Sequence, residues 1–466
     1  MARNRRLWML GGGAAVLVAA GGLAAATRTP FGQRIVESPA VGTAYAAELI
    51  CSGVFVMGRE PDRVMQDDIF PVNPILRHLD VVVDKAKTVV TASLFGMARR
   101  SALFRPGLGC TLVGKGGVEE LRKQAEGVVP MEFRPRPEPW PAGDRVDTQP
   151  SPQLAEALDQ AFAPDTGSRA IVVVKDGRIV AERYGEGFSA ETRFLGWSMA
   201  KSVNGTLIGT LVSQGILSLD APAPVPSWQG AGDGRQRITL RQLLTMTSGL
   251  SFSETYVPGD DATAMLYRQD DMAAYAATRP MEAPPGTQFS YSSGTANILS
   301  HILFDAAGGS AKAAYDFART HLFEPAGMTS AVFQPDATGS PVGSSYVYMT
   351  ARDWARFGLL YLGGGTLGWQ RIVSADWVAE ASRPAKLADG STVAYGMQFW
   401  LNGDGTAATP LRYPHCPVDM YFAKGHNDQF AAVMPSRNIA VIRLGWNTGQ
   451  PFDLDRHLSS ILAALE

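Results

Sequence analysis

Two kinds of hydrophobic pattern divide the chain. In RAIVVVKDGRIVAERYG (169–185) two Val- and Ile-rich runs flank Asp176–Gly177, which predicts a β-hairpin. Strand-like runs return near the end, in VAYGMQFWLN (393–402), DMYFAKGHNDQFAAVMP (419–435) and NIAVIRLGW (438–446). Between them, from about residue 205 to 385, the pattern predicts helices and loops, as in TLRQLLTMTSGL, TANILSHILFDAAG and ARDWARFGLLYLGGG. SPQLAEALDQAFA (151–163) predicts a helix with Ser151 as its cap, and FDLDRHLSSILAALE (452–466) a closing amphipathic helix. Strands at both ends of one domain can pair into a single sheet, with the helical region as a second subdomain. The pattern therefore predicts an α/β (α+β) domain over 151–466: an antiparallel sheet flanked by terminal helices, plus a mostly helical subdomain.

The first third of the chain reads differently. LICSGVFVMG (49–58), LDVVVD (79–84) and KTVVTASLFG (87–96) are β-rich, so residues 31–132 form an extra small β-containing unit. FRPRPEPWPAGD (133–144) has no apolar periodicity and marks 133–150 as a Pro-rich linker or clamp. Residues 1–30 begin MARNRR, run apolar from Leu7 to Ala26 and end in small residues. That is the pattern of an export signal, and the run is also long enough for a membrane anchor. Either way the working part is exported, to a bacterial periplasm or the outer face of the inner membrane. In that compartment Cys51 and Cys110 are expected to pair, leaving Cys416 free.

Composition narrows the function. The 466 residues are 45% hydrophobic and 18% charged, as in a core-forming protein. A net charge of −2 gives no reason to expect nucleic acid as a partner. Six scattered histidines with no H-x-x-x-H or C-x-x-C spacing suggest neither a metal nor a cofactor. A membrane is an expected partner if the N-terminal run is retained.

The candidate chemistry sits in GWSMAKSVNGTLIG (196–209). Ser198 and Lys201 fall one helical turn apart at the head of an apolar run, where a lysine is costly unless it works. Four stretches occur in order: Ser198-Met-Ala-Lys201, ITLRQLLTMTSGL (238–250), PPGTQFSYSSG (284–294) and AKGHNDQF (423–430). With them the chain resembles the serine β-lactamase and penicillin-binding-protein-like hydrolases, most of all the branch of aminohexanoate-oligomer hydrolases and esterases. The resemblance implies Ser198 as nucleophile, Lys201 as general base and Tyr291 as the tyrosine that shuttles protons, together forming and then hydrolysing an acyl-enzyme.

The resemblance also implies a substrate-binding set of His426, Asn427, Gln429, Ser293 and Asp271. Ser293 stands where many relatives have an asparagine. His426-Asn427-Asp428 stands where the family has K-T-G or H-x-G on an edge strand, so either Asp428 narrows or charges the pocket or the true register differs by a residue. The backbone N–H groups of Ser198 and Gln429 are the expected oxyanion donors. Asp271 either lines the pocket or caps a helix. The resemblance leaves three functions: an exported amidase or esterase, whose expected partner is a small-molecule amide or ester; a β-lactamase or cell-wall D-amino-acid peptidase; or a binding protein that kept the fold. Asp428 would repel a carboxylate, and on that ground penicillins are expected to be poor substrates.

Overall fold

The computed structural model describes residues 30–466 apart from 231, 233 and 448, with side chains from residue 37 onward. The apolar run Leu7–Ala26 lies outside the described residues. No described helix is long and apolar enough to cross a membrane.

The 169–185 hairpin forms as β5 (Ser168–Lys175) and β6 (Arg178–Tyr184). Asp176 and Gly177 both take positive φ, +51° and +76°, as the tight turn between right-twisted strands requires. The last strand, β13 (Ile439–Gly445), pairs antiparallel with β5 and joins the two ends of the domain. With β10 (Trp400–Leu401), β11 (Tyr421–Gly425) and β12 (Gln429–Met434) it completes a six-stranded antiparallel sheet, order β10-β11-β12-β13-β5-β6.

The continuous apolar runs of β5 and β13 are explained by burial on both faces. Ile171, Val173 and Val441 pack with Leu154 and Leu158 of α2 (Pro152–Ala161) and Leu458 and Ile461 of α6 (Leu454–Ala463). Val172, Val174, Ala440 and Ile442 face the main core, which includes α3 (Ala200–Ser213) and α5 (Ala351–Leu362). Helix α4 (Ser293–Ala306) belongs to the helical subdomain. A smaller sheet, β7 (Arg193–Leu195), β9 (Val347–Thr350) and β8 (Val332–Phe333), leads into the Ser198 segment. This is the arrangement the resemblance implies.

Two expected strands are corrected. LICSGVFVMG is not extended: residues up to Phe55 belong to helix α1 (Pro30–Phe55). An apolar run cannot by itself separate a buried helix from a buried strand. Here Val41, Ala44, Ala47, Leu49, Ile50 and Cys51 are buried, because α1 lies between the hydrolase domain and a four-stranded sheet. That sheet is β1 (Leu79–Asp84), β2 (Val89–Leu94), β3 (Met97–Arg105) and β4 (Gly109–Leu112). In 393–402 only Thr392–Val393 and Trp400–Leu401 are strand. Between them the Gln398 N–H and side-chain amide donate to the Leu244 carbonyl, and the Gln398 carbonyl accepts from Ser202, so this backbone serves α3 and its neighbours instead of a ladder.

The Pro-rich stretch is a clamp. Trp140 is buried, and Arg356 of α5 donates to the Pro141 carbonyl (3.0 Å) and to Asp144 (2.7 Å). Cys51 of α1 and Cys110 of β4 are joined by a disulfide, and Cys416 is a buried free thiol.

Candidate active site

Ser198 lies in a single 3-10 turn (Trp197–Met199) that runs directly into α3. The preceding Trp197 is buried in a left-handed conformation, φ +48°, which a bulky residue adopts only when its surroundings enforce it. Those surroundings are visible. The Gly196 N–H donates to the Val347 carbonyl at 2.9 Å, and Gly196 lies so close under Trp354 that a Cβ there would collide with the indole.

Lys201 follows one turn later, 1% exposed. Its Nζ donates to Ser198 Oγ (2.9 Å), Ser293 Oγ (3.1 Å) and the Ser344 carbonyl (2.9 Å). Burial pulls its pKa down to about 8, against the opposing charge of Glu254. Tyr291 covers the other side: its ring centroid is 4.9 Å from Lys201 Nζ, and its hydroxyl is close enough to Ser198 for that side chain to ease its titration. Burial holds that phenol well above its ordinary range, so it stays protonated at neutral pH. The structure thus brings Ser198, Lys201 and Tyr291 together as a nucleophile, a lysine poised to lose its proton and a neutral hydroxyl.

The substrate-binding set is sorted differently. Ser293 is fully buried and sits behind Lys201, at the start of α4. His426 keeps an exposed edge at the mouth, 5.7 Å from the Trp197 ring and 5.9 Å from Tyr256 between centroids; desolvation by its surroundings lowers its pKa against the pull of Asp428. Gln429 does not face substrate with its side chain: its amide donates to the Leu195 carbonyl at 2.9 Å and so ties β12 to the nucleophile segment. Asn427 sits at the hairpin tip with φ +62°, its carbonyl accepting from Arg443. Asp271 caps the helix Met272–Ala277, accepting from Ala274 N at 2.8 Å, and has no contact with the Ser198 set.

The edge-strand placement of Asp428 is corrected. Its carboxylate accepts from Phe452 N (2.9 Å) and Asn447 Nδ2 (3.3 Å), so the segment before the last helix holds it. The small residue of the close approach is Gly425, whose Cβ position would fall on the Gly196 carbonyl. β11 and β12 pair Gly425 with Gln429, so His426, Asn427 and Asp428 form the turn and not the edge strand. Of the aromatic residues near the motifs, Tyr346, Tyr348 and Trp354 are core, while Trp400 stacks at 5.1 Å against Tyr291.

Glu254 is the participant that the sequence did not reveal. It accepts from both the backbone N–H (2.9 Å) and the hydroxyl of Ser293, and from the Tyr256 hydroxyl at 2.7 Å. Tyr256 is itself left-handed (φ +57°) and 39% exposed, and its hydroxyl also reaches Ser293 Oγ at 3.2 Å. A chain of hydrogen bonds thus runs from Ser198 through Lys201 and Ser293 to Glu254. No motif spacing marks a lone glutamate in SFSETY, 39 residues before the serine it holds.

Glu254 touches Ser293 and not the Ser198 hydroxyl, so the role expected of it is to position and charge-balance Lys201. Its charge favours protonated Lys201, so Glu254→Gln, which keeps the hydrogen-bonding shape, should lower the lysine's pKa further. The acidic limb of the kcat/KM–pH profile should move down by roughly half to one pH unit. An unmoved limb would show that Glu254 only supports the fold.

Comparison with known proteins agrees with this geometry. The Beta-lactamase family model matches residues 156–465. A 6-aminohexanoate-dimer hydrolase from Paenarthrobacter ureafaciens is 29% identical over 277 residues, 54% of this chain and 68% of that protein. A D-aminopeptidase from Cereibacter sphaeroides is 31% identical over 202 residues, 41% of this chain but only 37% of that protein. Among solved structures, a family VIII carboxylesterase superposes with a TM-score of 0.54 at 17% identity, covering 69% of this chain and 99% of that one. The fold, the ordered motifs and the extent of the family match together establish that this chain belongs to the Beta-lactamase family of serine hydrolases.

Proposed function

We propose that the chain hydrolyses small linear amides and esters through an acyl-enzyme on Ser198. The observation that carries this reading is the 2.9 Å contact between Ser198 Oγ and a buried Lys201 whose pKa is pulled to about 8. In its neutral form Lys201 accepts the Ser198 proton as Oγ bonds to the substrate carbonyl carbon. Tyr291, beside Ser198, passes a proton to the leaving nitrogen or oxygen as its bond to that carbon breaks. Lys201 hands the proton it took from Ser198 to Tyr291, which restores both groups. Water then attacks the acyl carbon and gives a proton to Lys201 through Tyr291; the bond from that carbon to Oγ breaks, and Oγ takes the proton back from Lys201. The backbone N–H of Ser198 and one from the 425–429 segment are the proposed oxyanion donors.

The choice of a linear amide is supported by the likeness to the 6-aminohexanoate-dimer hydrolase. Asp428 is a weaker argument against a β-lactam than its position in the motif suggests, because its carboxylate is taken up by Phe452 N and Asn447. A binding protein would gain nothing from burying a lysine against a serine, a costly placement. The site is also proposed to work outside the cytoplasm. Support comes from the basic start and apolar Leu7–Ala26 run and from the Cys51–Cys110 disulfide, which forms in oxidising compartments.

The test compares kcat/KM for a short p-nitrophenyl ester, a linear aminohexanoate-type amide and nitrocefin on one preparation. The ester and the amide are expected to be turned over well ahead of nitrocefin. The reverse order would make the β-lactamase reading the better one.

A further inference from the structure

One end of the N-terminal unit is built against local rules. β2 and β3 pair Leu94 with Met97, so Phe95–Gly96 forms a two-residue turn, and Phe95 takes φ +50°. Such a turn favours Asn, Asp or Gly at that position, and a bulky side chain there is strained. Nothing in the fold repays this by burial: Phe95 is 60% and Met97 66% exposed. Phe95 stacks on His78 at 5.5 Å, which brings Ile75 and Val72, also largely exposed, to the same end of the sheet. Arg77 and Arg99 are exposed beside them and form no ion pair among the described residues; Asp80 is the nearby exposed acid. Four large apolar side chains with unpaired arginines suit an apolar layer edged by anionic groups.

The chain itself indicates what lies there. Thr43 Oγ1 of α1 donates to the Ala98 carbonyl at 2.6 Å, and Gly42 lies against Leu76, so this level of α1 touches the apolar end. The helix begins at Pro30, about 18 Å further out at 1.5 Å per residue. Only Thr27–Thr29 separate it from the apolar run Leu7–Ala26, which is long enough to enter a bilayer. A chain leaving the bilayer at residues 27–29 would hold the apolar end within one short helix of the lipid surface. An oblique tilt of α1 then sets that end on the headgroups, where one weak anchor would gain a second attachment.

The geometry points to a membrane-docking face on the N-terminal unit, formed by Val72, Ile75, Phe95 and Met97 with Arg77 and Arg99, seated on an anionic lipid bilayer beside the chain's own anchor. This rests on the proposal that the hydrolase works outside the cytoplasm, and adds to it that Leu7–Ala26 is retained as the anchor.

The test uses the full chain with Phe95→Cys, labelled with an NBD fluorophore; Cys416 is buried and the other two cysteines are bridged. The same label at Trp369→Cys, a position 93% exposed, is the control. On phosphatidylcholine vesicles containing phosphatidylglycerol, the emission at position 95 should shift to the blue and rise several-fold, less so without the anionic lipid. Position 369 should not change. Protein bound to vesicles with a water-like label at 95 would overturn the docking face and leave the anchor standing. Protein that does not bind vesicles would overturn both. A lipid-free rise that grows with protein concentration would show that a second copy covers the face, and would also overturn the proposal.

Discussion

Ser198→Ala should abolish turnover of an activated ester, with a loss of several orders of magnitude, and leave the fold intact. Ser198 is part of a unit, and removing one member of such a unit costs nearly as much as removing all of them. Its hydroxyl is held by Lys201 Nζ at 2.9 Å beside Tyr291. The other hydroxyl on Lys201, Ser293 Oγ at 3.1 Å, is fully buried and bonded to Glu254, so it cannot replace Ser198. Lys201→Ala should be almost as damaging, because the remaining phenol is held far above neutral pH in its protonated form. Lys201→Arg should do no better, since a guanidinium stays charged at any working pH and is too bulky for a pocket that leaves the lysine 1% exposed. In the wild type, kcat/KM should climb about tenfold per pH unit and level off near pH 8, as Lys201 loses its proton. Intact-mass spectrometry after a fluorophosphonate separates the variants: wild type gains one adduct and Ser198→Ala gains none. Native-rate turnover by Ser198→Ala would remove Ser198 from the mechanism.

How much of this was legible in the sequence depended on whether the signal was local. The β5–β6 hairpin announces itself through Asp176–Gly177, because the turn needs two positive φ angles and few residue pairs supply them. Ser198 and Lys201 announce themselves by helical spacing in an apolar run. Helix α1 does not: buried on both sides, it loses the alternation that would separate it from a strand. For Asp428 the string gives the charge but neither the register nor the direction; Gly425 pairs with Gln429, and the carboxylate turns to the Phe452 amide. Asp271 has both a cap and a pocket reading in sequence, and Ala274 N decides for the cap. Glu254 joins the site only through tertiary contact with Ser293, so no pattern in its own neighbourhood could have revealed it.

Replacing both Cys51 and Cys110 with Ala should lower stability by about 4 kcal/mol, and activity should be lost together with the N-terminal unit's fold. The bridge closes a loop with a sequence separation of 59, for which the chain-entropy model gives about that value. Both cysteines are fully buried, so the two alanines also leave small voids that add to the loss. The consequence reaches Ser198 because α1 is part of the hydrolase core. Ser52, next to Cys51, is hydrogen-bonded to Gln334 at 2.8 Å, and Leu49 lies beside Leu195, Tyr348 and Gln429 in the seam just ahead of the nucleophile turn. Asp68, which follows α1, pairs with Arg169 of β5 and with Arg59. If α1 loosened, Leu195 and Gln429 would lose the surface that holds the Ser198 segment against the sheet. Thermal unfolding followed by circular dichroism, alongside residual esterase activity, measures both effects. The double variant should melt roughly 5 °C or more below wild type, with activity falling over the same range. An unchanged melting temperature, or three thiols titrated in the denatured, unreduced protein, would show that the bridge does not brace the site.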